Sequence, residues 1–311
     1  MLKVLLALIL AASSFIGVAP KAYAEDKPAV WLQISPVSNR VALVAGENND
    51  YEMTVSNIGS EDFSYHVYAA PYSISDEDYN INFSNETNRT QITRWIKFYQ
   101  DDGTLTDNFK STIKKDEKQV VRYNIAVPED IPAGGQYAAI FAESDSPEDK
   151  GMSSGIKTVS RVGLVVYGRT NGDTVDSAEI THYNIPGFMI SGKVRAEAKI
   201  KNGGNTDFEV RDEFVVSTLF GKELYNKDKM YNVLPDTERK ISHEWENSPF
   251  MGIFKVHYKV SALDKVEDKT KIVIIMPVFM LIIMLLLLTG FVIWIIILVR
   301  KRNERKSRLM V

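Results

Sequence analysis

Four histidines, His66, His182, His243 and His257, are the first residues to weigh for catalysis or metal binding. None stands three or four positions from another, the spacing that puts two imidazoles on one helix face, and none neighbours a Ser–Asp arrangement. His66 and His257 fall inside alternating stretches, which makes them strand-face residues. Cysteine is absent from all 311 residues, so disulfides, thiol nucleophiles, zinc–thiolate sites and a lipid-modified N-terminal cysteine are excluded together. There is no Gly-x-Ser-x-Gly, no phosphate-binding Gly-Lys motif and no zincin helix. Nothing here supports an enzyme, and no catalytic residue, cofactor or metal site is expected.

Two clusters in one polar stretch are more suggestive. Asp76-x-Asp78-x-Asn80-x-Asn82 sets oxygen donors at every second position, as the first half of a calcium loop does. The match then fails, because Ile81 stands where the sharp turn needs glycine and Thr87 where a bidentate Glu is needed. A solvated acidic turn is the preferred reading. Around it lie Tyr72, Tyr79, Phe83, Trp95, Phe98 and Tyr99. Aromatics on loops stack on sugars or anchor a partner chain, so Tyr72, Tyr79 and Trp95 are the candidate ligand-contact residues. The alternative for Trp95 is that it opens the next strand with Ile96 and Phe98 and fills the core. The motifs at Asn82, Asn85 and Asn88 fit a glycosylation acceptor pattern but are read as polar loop.

These residues need elements to hold them, and the chain ends say where those elements reside. Residues 1–24 open with Lys3, continue through an apolar run from Val4, and close on Ala22-Tyr23-Ala24, the order a signal peptidase reads. Ile272 to Val299 is a run of 28 residues without a charge, about 42 Å long as a helix and therefore sufficient for about 30 Å of hydrocarbon. Arg300, Lys301, Arg302, Arg305, Lys306 and Arg308 follow, against Glu304 alone, which places the tail in the cytoplasm and the N-terminal bulk outside. The formal charge of the chain is −3; with +5 on the tail and +2 on the leader, residues 25–271 carry −10. An acidic ectodomain argues against nucleic acid as a partner. Its lack of disulfides points to the exterior of a single-membrane bacterial cell rather than to an animal cell surface.

Between the ends the chain alternates in strand fashion at Asp50–Val55, Phe63–Tyr68, Val120–Val127, Gln136–Ala142 and Ile253–Val260. An internal echo accompanies this pattern. Asn57-x-Gly59-x-x-Asp62-Phe63 follows one strand and Asn202-x-Gly204-x-x-Asp207-Phe208 another, each predicting a turn with left-handed backbone and a return strand opening on a buried aromatic. Lys114–Lys118 and Pro235–Arg239 then precede a further strand in each copy. The expected fold is all-β: two tandem immunoglobulin-like β-sandwiches, residues 25–170 and 171–271, then a single transmembrane helix at 272–299 and a basic cytoplasmic tail at 300–311. The surplus of the first sandwich, Pro71 to Thr112, is where a binding surface is expected.

Ile34-Ser35-Pro36, the stretch Tyr51 to Gly59, and Val120 to Ala142 with its Val127-Pro128-Glu129-Asp130-Ile131-Pro132-Ala133-Gly134-Gly135 give the chain a family resemblance. With the order of its segments, it resembles the WxL-interacting cell-surface proteins of Gram-positive bacteria. The resemblance implies a first domain that binds peptidoglycan or another cell-wall component and a second that binds surface-protein partners. It carries over no binding residue. The expectation is a non-enzymatic, single-pass envelope protein; the rival is an accessory subunit of a membrane transport or secretion complex. Neither reading requires a cofactor.

Overall fold

The computed structural model describes residues 27–145, 159–190 and 193–308. The leader expected at 1–24 lies outside the described residues. The chain is mostly β-sheet, with one long apolar helix near its C-terminus.

Ten of the first twelve strands make two facing sheets. One has the order β1 (Leu32–Ser35), β3 (Asn48–Asn57), β10 (Lys118–Ala126), β7 (Ile96–Tyr99) and β8 (Leu105–Thr106). The other runs β2 (Ser38–Leu43), β12 (Arg161–Thr170), β11 (Gly135–Ser144), β4 (Phe63–Pro71) and β9 (Asn108–Ile113), with β2 parallel to β12. Alternation explains the core: Met53 and Val55 from one sheet meet Tyr65, Val67, Ile140 and Val166 from the other. Between β4 and β7 the chain leaves the sheets to form a small hairpin, β5 (Ser73–Ile74) with β6 (Ile81–Asn82), and one helical turn, α1 (Ile92–Trp95).

β11 departs from simple alternation. Ala138, Ile140 and Ala142 face the sandwich core, while Tyr137, Ala139 and Phe141 on its other face are also buried, beneath the hairpin. A strand covered on both sides reads as nearly continuous apolar sequence, which Gln136–Ala142 does.

The remaining strands form a second facing pair. Its sheets are β13 (Ala178–Asn184), β15 (Val194–Asn202) and β18 (Glu238–Trp245), and β14 (Phe188–Met189), β20 (Lys265–Ile275), β19 (Gly252–Ala262), β16 (Phe208–Thr218) and β17 (Glu223–Val233). Its separate core sets the Trp245 ring edge-on to Phe254, with centroids 5.2 Å apart.

The echoed motif is the same turn twice, though not the expected one. The Asn57 carboxamide accepts from the Gly59 amide and donates to the Glu61 carbonyl; Asn202 does likewise with Gly204 and Thr206. Neither Asn nor Gly is left-handed. The strands joined, β3 to β4 and β15 to β16, lie in opposite sheets, so the turn is a crossing between layers and not a hairpin. Glycine is required there by close approach: a Cβ on Gly59 would meet the Ala29 carbonyl oxygen at 2.6 Å, and one on Gly204 that of Val175 at 2.2 Å. Left-handed residues occur one theme later, at Asp116 and Asp236.

The helix also differs from expectation. Its apolar run begins as strand, since Val273 and Ile275 of β20 are buried in the second core. Met276 and Pro277 follow, and α2 starts at Val278 and extends to Arg308. Proline suits this position because the first helical turn has no partner for its N–H. The stretch Val278–Arg302, 25 residues and about 37 Å, is long and apolar enough to cross a membrane.

A cleft where the two sandwiches meet

The outer face of β4, β11 and β12 presents Ala70, Tyr137, Ala139 and Phe141. The β5–β6 hairpin closes over them with Tyr72, Ile74, Tyr79 and Phe83, and Leu234 from the β17–β18 turn completes the cluster. Phe83 meets Phe141 edge-on at 4.8 Å. An apolar residue of the second sandwich is thus buried against the insertion of the first.

Polar contacts fix that junction on two sides. On the hairpin side the Tyr79 hydroxyl accepts from the Leu234 amide at 2.6 Å, and the Arg239 guanidinium lies 3.9 Å from the Tyr79 ring centre. The Lys240 amide donates to the Glu77 carbonyl at 2.7 Å, and Lys199 bonds the Glu77 carboxylate. On the sheet side Arg40 donates to Asp207 at 2.7 Å and to Asn232 at 3.0 Å, while the Tyr137 hydroxyl donates to the other Asp207 oxygen. The Gly135 amide donates to the Asn205 carbonyl at 2.7 Å.

Between these two zones lies a cleft of about 190 Å³. Tyr72 and Tyr137 supply aromatic surface; Leu234, Pro235, Asp236 and Thr237 line it from the second sandwich; Asn85, Thr87 and Arg89 line it from the insertion. Arg89 is held in place by the Ala133 carbonyl at 2.8 Å and stands 3.9 Å from Asp236. Burial pushes the phenols of Tyr72 and Tyr137 upward, Tyr137 further through the nearby Asp207 charge, so both remain protonated. The cleft offers aromatic faces, a guanidinium and a carboxylate. Those groups suit a small polar unit such as one amino-acid residue or one sugar ring.

Of the three candidate contact residues, the structure gathers two. Tyr72 lines the cleft and Tyr79 anchors its wall. Trp95 is 9% exposed in the first core beside Ile92 and Ile96, in the packing role that was its alternative. Arg89, Tyr137 and Leu234 were missed. Their signals in the sequence were slight: the doubly apolar run of β11, and the Gly134-Gly135 pair that lets Asn205 approach.

The acidic stretch 76–82 is a docked turn. Asp76 accepts from the amide and side chain of Asn80, which lowers its pKa, and Asp78 faces Lys240 at 3.8 Å. Among the described residues no group of three or more His, Cys, Asp or Glu is placed to hold a metal ion. His66 and His257 lie on strand faces beside Asp145 and Asp268. His243 is different: it is buried, stacks on Phe214 at 5.6 Å, and brings Nε2 within 2.7 Å of the buried Asp212. The contact lacks hydrogen-bond alignment. Sealed inside the second core, the pair has no access to a substrate.

No protein-family model matches the sequence, and no curated protein does. Solved structures similar to the chain include fimbrial chaperones at low identity. The class 5 fimbriae chaperone CfaA is 14% identical over 79% of this chain and 100% of its own, with a TM-score of 0.37. The YadV chaperone is 11% identical over 78% and 99%, with a TM-score of 0.39. The E. coli chaperone DraB is 12% identical over 78% and 97%, with a TM-score of 0.38. Likeness at this level carries nothing about partner or activity.

Proposed function

We propose that the chain is a membrane-tethered, non-enzymatic protein of the cell envelope, made of two tandem immunoglobulin-like sandwiches whose shared cleft holds an extended segment of a surface-protein partner. In this reading α2 spans the membrane, the sandwiches stand outside and the basic tail lies inside. The observation that carries it is the cleft itself, because its walls come from both sandwiches and its groups suit one residue of a polar chain. A strand edge leads into it. β17 is an outermost strand of 11 residues that ends beside Leu234, so a partner pairing along it would be directed to the cleft. Lys227, Asp228 and Lys229 on that edge discourage indiscriminate pairing. Contact of the first sandwich with peptidoglycan is the further part of the proposal, and it rests on the family resemblance.

A photo-crosslinking residue at Asn85, on the cleft rim, tests the partner site in cells expressing the full chain. A discrete adduct with an envelope protein, absent when the probe replaces Asp264 in the β19–β20 turn, is the expected result. Labelling at Asn85 no greater than at Asp264 removes the cleft as a partner site. Wall contact is read separately, by pelleting the detergent-solubilised full chain with washed sacculi; a chain that stays in the supernatant refutes it.

A further inference from the structure

The register of the second sandwich gathers several connections on one rim. Gly252 pairs with Ile275, and Phe188 with Ile274, at the end of β20 from which α2 departs. Thr218 pairs with Phe254, so the β16–β17 turn projects past the same level, and the β18–β19 loop returns there. Exposed on this rim are Ile190, Leu219, Phe220, Phe250 and Met251, with Phe220 fully exposed and Phe250 at 69%. Single exposed apolar side chains are ordinary; a collection at one end of a sandwich is not.

The outer sheet face grades in the same direction. Phe188, Ile274 and Ile253 form a row across three adjacent strands at the rim. The next same-face row, about 7 Å higher, pairs Ile272 with Lys255. Beyond it Thr270 pairs with His257 and Asp268 with Lys259, and His257 bonds Asp268. Exposed Val266 and Met230 share the far row of this face with Ser261 and Arg211, while the apolar character next to the rim runs to the depth of about two rows. It is continuous with α2, whose exposed Val278 and Phe279 follow the rim after Met276 and Pro277 alone. With so short a connection, the rim must lie wherever the helix enters its apolar phase.

We infer that this rim is seated in the lipid interface, with the Leu219-Phe220 and Phe250-Met251 tips in the boundary between headgroups and acyl chains and the Lys255 row in water. The inference rests on the reading of α2 as a membrane span. The depth fits a shallow interfacial seat of about 5–10 Å. The second sandwich is then held against the bilayer, and the cleft, at the opposite end of β17, faces away from it.

Because the native sequence has no cysteine, single labels are unique. Full-length chains bearing bimane at Leu219→Cys, Phe250→Cys, Leu287→Cys or Asp264→Cys, reconstituted in phosphatidylcholine vesicles, report lipid contact through quenching by doxyl-labelled lipid. The expected result is several-fold stronger quenching at Leu219, Phe250 and Leu287 than at Asp264. The double substitution Phe220→Ser and Phe250→Ser should return the Leu219 label to the Asp264 level while leaving Leu287 unchanged. Strong quenching at Leu287 with Leu219 and Phe250 at the Asp264 level overturns the interfacial seat and leaves the span standing. Absence of lipid quenching at Leu287 overturns the span, and the seat with it.

Discussion

Asn202 is fully buried, and its carboxamide alone serves three backbone groups: it accepts from Gly204 and donates to Thr206 and Val233. Replacing it by alanine leaves those groups without partners and without water. Each such loss costs about 1–3 kcal/mol, and partial relaxation brings the expected destabilisation of Asn202→Ala to about 3 kcal/mol. Denaturant titration of the full chain in detergent checks this, with the exposed Asn226→Ala expected to be nearly neutral. The importance of Asn57 and Asn202 was legible as a repeated motif. What they do was not, because a local Asn-x-Gly spacing does not reveal whether the strands it joins share a sheet.

At the scale of elements, period-two patterning located β3, β4, β10, β11 and β19 because each buries at least one face against a core. It did not distinguish one buried face from two. The outer face of β11 becomes a second interior only when the β5–β6 hairpin, far earlier in the chain, folds over it, and alternation is blind to that. The start of α2 was misplaced for a related reason: Val273 and Ile275 are apolar to fill a sandwich core, and α2 opens on a long apolar run, so composition shows no border between them. The Gly134 turn was legible as a turn but not as a contact. Gly134 has φ of +111°, and a Cβ there would come within 2.2 Å of the Asn205 carbonyl oxygen. Gly134→Ala should therefore displace the second sandwich while leaving both cores intact. Hydrogen exchange should show faster exchange at Leu234 and Lys240, whose amides bond the hairpin, and unchanged exchange in β3 and β19. Equal loss of protection in the cores would mean that Gly134 serves the first sandwich rather than the junction.

For the whole molecule the junction is one of the electrostatically tuned parts. The hydrogen bond from Lys199 holds Glu77 below the usual carboxylate range, and the bond from Asn80 does the same for Asp76. A carboxylate whose folded-state pKa is lowered contributes stability above its ordinary pKa, and that contribution is lost as pH falls through the folded-state value. The hairpin's hold on the second sandwich should therefore weaken progressively below the ordinary Glu value of 4.5. Distance measurement between labels at Asn85 and Asp236 across pH 7 to 3 should show the cleft widening at the acid end. In Glu77→Gln the part of that change due to Glu77 should vanish, leaving the distance flatter with pH. An identical acid response in the variant would assign the change to other groups.

β20 continues into α2 with two residues between, and it is paired over its full length of 11 residues with β19. Ladder hydrogen bonds run perpendicular to the strands they join. With α2 in the membrane as proposed, tension between the bilayer and anything held at the far sandwich acts along β20, across those bonds and not in line with them. The pairings then resist together instead of opening one after another like a zipper. Mechanical rupture depends on the unfolding rate rather than on equilibrium stability. The same strand that fills a core thus sets how hard the outer face of the protein can be pulled before it yields.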